Sequence, residues 1–444
     1  MNRKGLLIAL LLAATIALGI RALHKRHGSL LRNRLFASRL LFTHDLYAPW
    51  DEDGRPVHAP YPPSYGLVMA PLLLPPLPVA RVLWVVLQMT ILVLVLRRLG
   101  LWWESLVPAR APPAWIFVLP LFLVSRYLLR DTAGGGNNLV FGGLVFLACC
   151  RPGEERGEDR RPLLGLGLGL VLAAKPTPLL FLFWLLLRGR LRTAAVALLS
   201  AAALHLAPIL ILGSEGWLEA YSRWGRGVYL YATQADLFAR PALGFPPFTW
   251  MNQSLRCMLV RFLGEVPPAL ALDGPLWFQG LGWTPEALLP IRGAATLSVL
   301  SFFLLRLSRL RGAFAEAAGP SLCFAVTLLL SPISWKAHHV RLLPAFFTIC
   351  AWIALAPRTS RHRGLLLGFL TAYALACTLL SEEILRFALG SAAAGKDAKN
   401  LLQSLYLVTF GCLALLPLLP GKLPDEPGEP PRARSPEDGG RQGS

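Results

Sequence analysis

The stretch VARVLWVVLQMTILVLVL, residues 79–96, is apolar over almost its whole length and is followed directly by Arg97 and Arg98. A helix needs about 20 mainly apolar residues to cross the hydrocarbon core of a bilayer. Similar apolar runs recur at about residues 113–128, 138–150, 163–174, 178–187, 193–212, 286–305, 318–330, 340–356, 364–380 and 401–418. With the N-terminal run, they predict an all-α, polytopic integral membrane protein with about twelve transmembrane helices, several of them short.

The composition excludes a soluble globular protein. The 444 residues are 55% hydrophobic and 16% charged, with a mean hydropathy of +0.52, whereas soluble domains carry about 25% charged residues. A net charge of +19 suits nucleic acid, but the arginines are grouped at the ends of apolar runs, which is typical of cytoplasmic loops of membrane proteins. We therefore expect membrane lipids and no nucleic acid as partners. The seven cysteines show no CxxC pair and no zinc-ligand spacing, which indicates small core residues.

The positions of the basic clusters predict which side of the membrane each loop faces. Alternating the direction of the helices brings the arginine groups in 97–98, 151–161, 188–192, 306–311 and 358–363 to one side, which we expect to be cytoplasmic. A further basic cluster between Arg21 and Arg39 falls on the opposite side, and the five later groups decide the orientation. Arg3, Lys4 and the apolar run after them fit a first transmembrane helix or a signal peptide. We interpret the run as a helix, which makes both termini cytoplasmic in the plasma membrane of a bacterial cell.

The chain divides into one membrane domain and a tail. The membrane domain covers residues 1–419, with a first outer loop at about 21–63 and a large outer loop at about 213–285. Residues 420–444 are rich in proline, glycine and charge without an apolar period, and predict a disordered cytoplasmic tail.

The first outer loop concentrates acidic groups. Asp45, Asp51, Glu52 and Asp53 lie within nine positions, with His44 and His58 nearby in a stretch rich in aromatic residues, which is a suitable set for general acid–base catalysis at a membrane surface. The alternative is a solvated loop whose carboxylates offset nearby arginines. Asp45 is the best placed carboxylate, because Leu46, Tyr47 and the run Leu40-Leu41-Phe42 can anchor it and partly desolvate it.

Three further outer segments carry candidate binding groups. Lys175, in AAKPTP, can present its ammonium to a phosphate beside helix-breaking prolines, or can reach the headgroups as a snorkelling lysine. Arg130 and Asp131 precede Gly134-Gly135-Gly136 and then Asn137 and Asn138, which fits either close approach to a ligand or a capped turn that opens a helix. The third segment holds Asn252, Gln253 and Arg261, where amides suit sugar hydroxyls and guanidinium suits phosphate; Asn252-Gln253-Ser254 is also a glycosylation sequon.

The most distinctive stretch is SPISWKAHH, residues 331–339. Trp335, Lys336, His338 and His339 suit an anionic phosphate, or lie among lipid headgroups. Metal binding is disfavoured, because no carboxylate or third ligand stands at a useful spacing. We therefore expect no metal and no other cofactor.

These motifs together resemble glycosyltransferase family 87, the bacterial membrane glycosyltransferases that include polyprenol-phosphate-mannose-dependent mannosyltransferases. The resemblance covers about residues 28–345 and rests on Asp45-Leu46-Tyr47, Tyr61-Pro62-Pro63 with Ala70-Pro71-Leu72, Arg130-Asp131, Lys175-Pro176-Thr177-Pro178, Asn252-Gln253-Ser254-Leu255 with Arg261, and Ser331-Pro332-Ile333-Ser334-Trp335 with His338-His339.

The resemblance implies a GT-C type helical bundle that moves a hexose, with mannose expected, from a polyprenyl phosphate sugar to a lipid or glycan acceptor outside the cytoplasm. It implies a catalytic base among Asp45, Asp51 and Asp53. The substrate-binding residues would be Tyr61, Arg130, Asn137, Asn138, Lys175, Asn252, Gln253, Arg261, Trp335, Lys336, His338 and His339.

The chain departs from the family pattern in two places. The usual first-loop aspartate stands near the end of the first helix, and here no carboxylate occurs from Arg21 to His44. Gly136 stands where the family's turn has glutamine. A later carboxylate then takes the base role, or the chain is a non-catalytic member of an envelope-assembly complex. A third alternative, a polyprenyl-lipid flippase or transporter, predicts ionisable residues throughout the mid-membrane spans, whereas here they concentrate at one face.

Overall fold

The computed structural model describes residues 3–24, 28–47, 61–108, 110–239, 247–272, 277–379 and 400–423, with only the backbone for residues 3–12. Within these ranges the secondary structure is helical, apart from two isolated β-bridges that pair Asn252 with Trp335 and Gly264 with Trp283. The predicted all-α class is confirmed. The predictions for Asp51, Glu52, Asp53, His58 and most of the tail fall outside the described residues.

The helices follow the apolar runs of the sequence. They are α1 (Arg3–Leu23), α2 (Ser29–Ser38), α3 (Pro63–Met69), α4 (Leu77–Leu106), α5 (Trp115–Gly134), α6 (Asn138–Cys149), α7 (Gly165–Ala174), α8 (Leu179–Leu187), α9 (Leu191–Leu206), α10 (Ile209–Thr233), α11 (Leu255–Leu263), α12 (Pro285–Arg309), α13 (Ala315–Leu330), α14 (Leu343–Leu355), α15 (Arg361–Tyr373) and α16 (Leu407–Leu418). Shorter 3₁₀ or π segments are Arg39–Thr43, Ala70–Leu73, Pro162–Leu164, Pro268–Leu270, Lys336–Leu342 and Ala374–Leu379.

Length and composition make this a multi-pass membrane protein. In the described part of the chain, five helical segments are long and apolar enough to cross a bilayer: Leu77–Leu106, Pro285–Arg309, Lys336–Leu355, Arg361–Leu379 and Asn400–Leu418. A sixth span results if α9 and α10, which meet at an 85° bend, count as one. Other apolar helices, such as α6 and α13, are shorter. The expected count of about twelve spans is not confirmed.

The region predicted as a large outer loop, residues 213–285, is not a simple loop, because it contains most of α10 and all of α11. Charged side chains such as Glu219 and Arg223 are exposed on α10, while Trp217 packs on Tyr221 at 4.9 Å between ring centroids. Such a two-sided helix is typical of a membrane interface. Long apolar runs in the sequence do not predict α10, because an amphipathic helix alternates polar and apolar residues.

The bundle has two polar ends, which are named outer and inner after the sides that the basic clusters predict. At the outer end, the start of α6 lies beside the turn after α7, because Lys175 donates to Asn137. At the inner end, Arg151 pairs with Asp159 at 2.9 Å, and Arg190 pairs with Glu316 at 2.9 Å. The arginine groups 151–161 and 188–192, predicted to share a side, therefore do so.

Hydrogen bonds from Thr193 and Arg151 lower the pKa of the Asp159 carboxyl, although its partial burial acts in the opposite direction.

Glycines let α7 pack directly on the backbone of α9. A Cβ added at Gly165 would lie 3.1 Å from the amide nitrogen of Ala197, and one at Gly169 would lie 2.5 Å from the carbonyl oxygen of Ala197. Small residues four apart permit such close approach in membrane helices. α7 runs from the inner end to the turn at residues 175–178, and α8 returns to the inner end, where Arg188 pairs with Glu316. We call these two short helices the α7–α8 hairpin, with residues 175–178 at its tip.

We predict that Gly169→Ala lowers the midpoint of thermal unfolding in detergent, by the equivalent of about 1–3 kcal/mol, because its Cβ overlaps Ser200 and the α9 backbone. Gly167→Ala is the matched control on the same helix, since its Cβ would meet Leu144 at an ordinary 3.5 Å. The control should be neutral or slightly stabilising, as alanine favours the helix. Equal midpoints for the two variants would contradict the proposed α7–α9 contact.

We also predict that the outer end faces away from the cytoplasm. Single cysteines at positions 45 and 156, both exposed, would be introduced after replacement of the seven native cysteines, which are all buried. A membrane-impermeant thiol reagent added to intact cells should label position 45 only, and both positions after permeabilisation. Labelling of position 156 in intact cells would show that the orientation is the opposite of the one predicted.

Candidate functional site

The first outer loop brings the Asp45 segment against buried aromatic side chains. Asp45 and His44 are exposed, and His44 has a left-handed backbone with φ of 60°. Leu46 and Tyr47 are buried, and the Tyr47 hydroxyl donates to the carbonyl oxygen of Tyr61 at 2.8 Å. The predicted anchoring by Leu46 and Tyr47 is confirmed.

Two details of the predicted anchoring are wrong. Leu40 is fully buried, but Phe42 is 71% exposed and so does not hold the segment in place. Asp45 is exposed to solvent rather than partly desolvated. Leu40 before the aspartate and Leu46 and Tyr47 after it therefore fix this part of the loop, whereas Phe42 does not.

Lys175 lies beside the same aromatic groups. The rings of Tyr61 and Tyr65 stack with centroids 4.0 Å apart, and Lys175 Nζ is 5.2 Å from the centroid of Tyr61. Nζ also donates to Asn137 Oδ1 at 3.2 Å. Burial raises the pKa of the Tyr61 and Tyr47 phenols, so both remain protonated near neutral pH. Burial and the nearby Arg341 lower the pKa of Lys175 to about 7, so an anionic ligand beside it would favour its protonated form. The half-buried amino group is held at the tip of the α7–α8 hairpin by a ring face and an amide.

A buried chain of hydrogen bonds connects Lys175 to the first outer loop. Asn137 Nδ2 donates to the Tyr65 hydroxyl at 2.8 Å, and that hydroxyl donates to Asn33 Oδ1 at 2.7 Å. Asn33 belongs to α2 and Tyr65 to α3. The ammonium and both helices therefore keep a fixed relation to one another.

Asp131 forms the centre of the outer end. Its carboxylate accepts from Asn138 Nδ2 at 2.7 Å and from the backbone amide of Leu139 at 2.9 Å, which satisfies donors at the start of α6. Arg341 donates to Asn138 Oδ1 at 3.0 Å. Arg341 lies only two positions after His339, but it directly precedes a buried apolar helix, so the sequence does not mark it as a site residue.

The altered residue Gly136 has a structural explanation. A Cβ at this position would overlap the Asp131 carboxylate, lying 2.8 Å from its Cγ. The carbonyl oxygen of Gly136 accepts from the Trp84 indole at 2.8 Å. Any side chain, including glutamine, would displace Asp131, so the departure at Gly136 follows from the position of that carboxylate.

The stretch 331–339 also lies at the outer end. The rings of Trp335 and His338 stack with centroids 6.3 Å apart, and His338 is close enough to Lys175 for electrostatic repulsion when both are charged. His339 is fully buried with Nδ1 3.2 Å from the carbonyl oxygen of Trp335, and its Nε2 has no hydrogen-bond partner. Lys336 is buried too. Within this stretch, His338 is therefore the side chain that interacts electrostatically with Lys175.

The amides of residues 252 and 253 are used within the protein. Asn252 Nδ2 donates to the carbonyl oxygens of Pro247 and Pro332 at 2.9 Å, and its Oδ1 accepts from the amide of Ser334 at 2.9 Å. Gln253 Nε2 donates to the carbonyl oxygens of Trp250 and Gln403. Both amides join the 247–254 segment to neighbouring chain segments.

The two arginines singled out in the sequence have different surroundings. Arg130 is exposed, and its guanidinium lies 3.6 Å from the sulfur of Met251. Arg261 is fully buried; its guanidinium carbon is 4.1 Å from the ring centroid of Trp277 and 4.5 Å from that of Phe278, and none of its nitrogens has a hydrogen-bond partner. Only Arg130 is accessible to a large solute in this structure.

The outer end therefore combines a fixed ammonium, a fixed guanidinium and an imidazole with a loop carboxylate, which suits an anionic group and a hydroxyl that loses a proton. Across the ranges that the structure describes, no three His, Cys, Asp or Glu side chains are grouped so as to hold a metal ion.

Comparison with known proteins gives one match. The family model for glycosyltransferase family 87 matches residues 60–332. The match includes Tyr61, Asn137, Lys175 and Asn252, but ends before His338 and begins after Asp45. No curated protein and no solved structure matches the chain.

Proposed function

Because the chain belongs to glycosyltransferase family 87, and is thus a membrane glycosyltransferase, we propose that it transfers a hexose, with mannose as the expected sugar, from a polyprenyl phosphate carrier to a lipid or glycan acceptor. We place the reaction on the non-cytoplasmic face of a bacterial plasma membrane, with both termini in the cytoplasm. The partners of the protein are then the lipid-linked donor, the acceptor and the surrounding lipids.

The observation that carries this proposal is the position of Lys175. Its ammonium is held by Asn137 at 3.2 Å and lies 5.2 Å from the ring of Tyr61. Tyr61 in turn accepts the hydrogen bond that anchors the Asp45 segment, through Tyr47. Lys175, proposed to bind the donor phosphate, and the segment of Asp45, proposed to activate the acceptor, therefore both contact Tyr61. The two residues are 130 positions apart in the chain.

The proposed reaction is a single displacement. The Asp45 carboxylate takes the proton of an acceptor hydroxyl, the hydroxyl oxygen forms a bond to the anomeric carbon of the hexose, and the bond from that carbon to the phosphate oxygen breaks. The electron pair leaves with polyprenyl phosphate, whose growing negative charge is stabilised by Lys175 and by the nearby His338 and Arg341. Since the leaving group is already an anion stabilised by cationic side chains, the proposal includes no metal and no other cofactor.

The remaining predicted residues are assigned roles by their surroundings. Arg130 is exposed, and we propose that it contacts the donor or the acceptor together with Trp335 and Lys336 of the 331–339 stretch. Asn138, Asn252 and Gln253 are proposed to position the loops, because their amides bond to protein groups. Arg261 is proposed to hold α11 against its aromatic neighbours.

A second candidate function has one observation in its favour. Asp45 is exposed, whereas a catalytic base must be held within about 2.6–3.2 Å of the acceptor hydroxyl. A non-catalytic member of an envelope-assembly complex would keep the binding groups and lose the base. Transfer of radiolabelled hexose from polyprenyl phosphate hexose to a membrane lipid extract by the purified protein separates the two functions, since only the enzyme gives a labelled product.

We predict that Lys175→Met weakens binding of polyprenyl phosphate hexose by about 1.5–3 kcal/mol, the contribution of a hydrogen bond to a charged group, which is roughly a 10- to 150-fold rise in Kd. Binding would be measured with the purified protein in detergent. Arg192→Met, an exposed cation at the inner end, is the control and should leave Kd unchanged. An unchanged Kd in folded Lys175→Met would make Lys175 a snorkelling residue.

We predict that Asp45→Asn lowers the rate of transfer at least about a hundredfold and leaves donor binding intact, because the amide cannot accept the proton. Asp51→Asn and Asp53→Asn are matched controls in the same loop and should keep most of the activity. If Asp45→Asn keeps full activity and one of the two controls loses it, the aspartate replaced in that control is the base. Absence of transfer by the unmodified protein, with donor binding retained, would support the non-catalytic function.

A further inference from the structure

A cavity lies at the inner end, opposite the candidate functional site. Its volume is about 400 Å³, which is in the range of small-molecule sites. It lies between the inner ends of α4, α8 and α12, the 153–156 loop and the start of α13. None of the residues predicted for glycosyl transfer lines it.

Three arginines line this cavity: Arg156, Arg188 and Arg311. Arg188 is 7% exposed and pairs with Glu316 at 2.6 Å, but its Nε has no hydrogen-bond partner. A buried donor without a partner costs about 1–3 kcal/mol, and a ligand with acceptor oxygens would remove that cost. The first turn of α13, a 16-residue helix, borders the same space and adds the positive end of its dipole.

Two of the three carboxylates in the cavity wall, Glu154 and Glu316, are paired with arginines of the protein, and the third, Glu155, is exposed. Glu316 also pairs with Arg190 at 2.9 Å, and Glu154 lies 3.4 Å from Arg151. The surrounding segments 151–161, 188–192 and 306–316 contain ten arginines and five carboxylates. The exposed Arg156 and Arg311 thus give the mouth of the cavity an excess of positive charge.

The rest of the wall is apolar and continues onto surfaces suited to acyl chains. Leu187, Leu307 and Leu310 line the cavity. On the adjoining helices, Phe183 of α8 is 52% exposed and Leu304 of α12 is 48% exposed. Exposed apolar side chains on membrane helices contact lipid, and basic pockets at helix ends suit anionic lipid headgroups.

We propose that this cavity binds an anionic phospholipid of the leaflet at the inner end. The phosphate accepts hydrogen bonds from Arg156, Arg311 and the Nε of Arg188, and the acyl chains follow the outer faces of α8 and α12. The lipid connects the 153–156 loop to the end of α12. This inference does not depend on the proposed transferase activity, because it concerns the opposite end of the bundle.

The test is lipid retention by the full-length protein. Native mass spectrometry would count bound phosphatidylglycerol and phosphatidylcholine of the same acyl composition, each titrated into the delipidated protein in detergent. We expect tight binding of one phosphatidylglycerol, weakened about tenfold in Arg156→Gln/Arg311→Gln, which is about 1.4 kcal/mol. Arg192→Gln/Arg309→Gln is the matched control, because both arginines are exposed at the same end and neither lines the cavity.

Two results would overturn the proposal. Equal weakening in the cavity variant and the control would mean diffuse attraction to a basic surface. Displacement of phosphatidylglycerol by inorganic phosphate or by glycerophosphoglycerol at equal concentration would mean a site for free phosphates, whereas we expect neither to compete. Unfolding midpoints of all variants identify any that fail to fold, and for such a variant the single substitution Arg311→Gln, exposed in the folded protein, gives the decisive comparison.

Discussion

The carboxylate of Asp131 is the group on which the outer end of the molecule depends. It is buried and accepts hydrogen bonds from Asn138 and from the first turn of α6. Asn138 in turn accepts from Arg341, 203 residues later in the chain. A charge in a lipid-embedded bundle is tolerated only when it is paired and hydrogen-bonded. Asn138 therefore links Asp131 to Arg341, and the three side chains fix α5, α6 and the segment before α14 in one arrangement.

Glycine residues make that arrangement possible. Gly136 leaves room for the Asp131 carboxylate, and a Cβ at Gly142 would lie 2.8 Å from the Cγ of Arg341. The segment of glycines and asparagines at residues 134–138 was predicted to allow close approach of a ligand. In the structure its glycine at position 136 leaves space for a charged side chain of the protein itself. Only Asn137, whose Oδ1 accepts from Lys175, extends this network to the proposed substrate.

The sequence predicted the helices well where they are apolar, because burial in lipid imposes a composition that is visible without any tertiary information. α10 was not predicted, since its stability comes from an amphipathic face. The roles of Asn252 and Gln253 could not be predicted either. Their amides were predicted to bind sugar because they offer both donors and acceptors. The same donors and acceptors can equally bind backbone groups of distant segments. Arg341 was missed because its partner, Asn138, is near it only in the folded chain.

Asn33 shows what the first-loop helix contributes in place of the missing early aspartate. The first-loop helix α2 contributes this neutral amide, not a carboxylate, to the chain of hydrogen bonds that leads through Tyr65 and Asn137 to Lys175. A neutral amide is too weakly basic to take a proton from an acceptor hydroxyl. If the chain is catalytic, the proton acceptor must therefore follow α2 in the sequence, and the first carboxylate after that helix is Asp45, whose neighbours Leu46 and Tyr47 are fixed against the group beside Lys175.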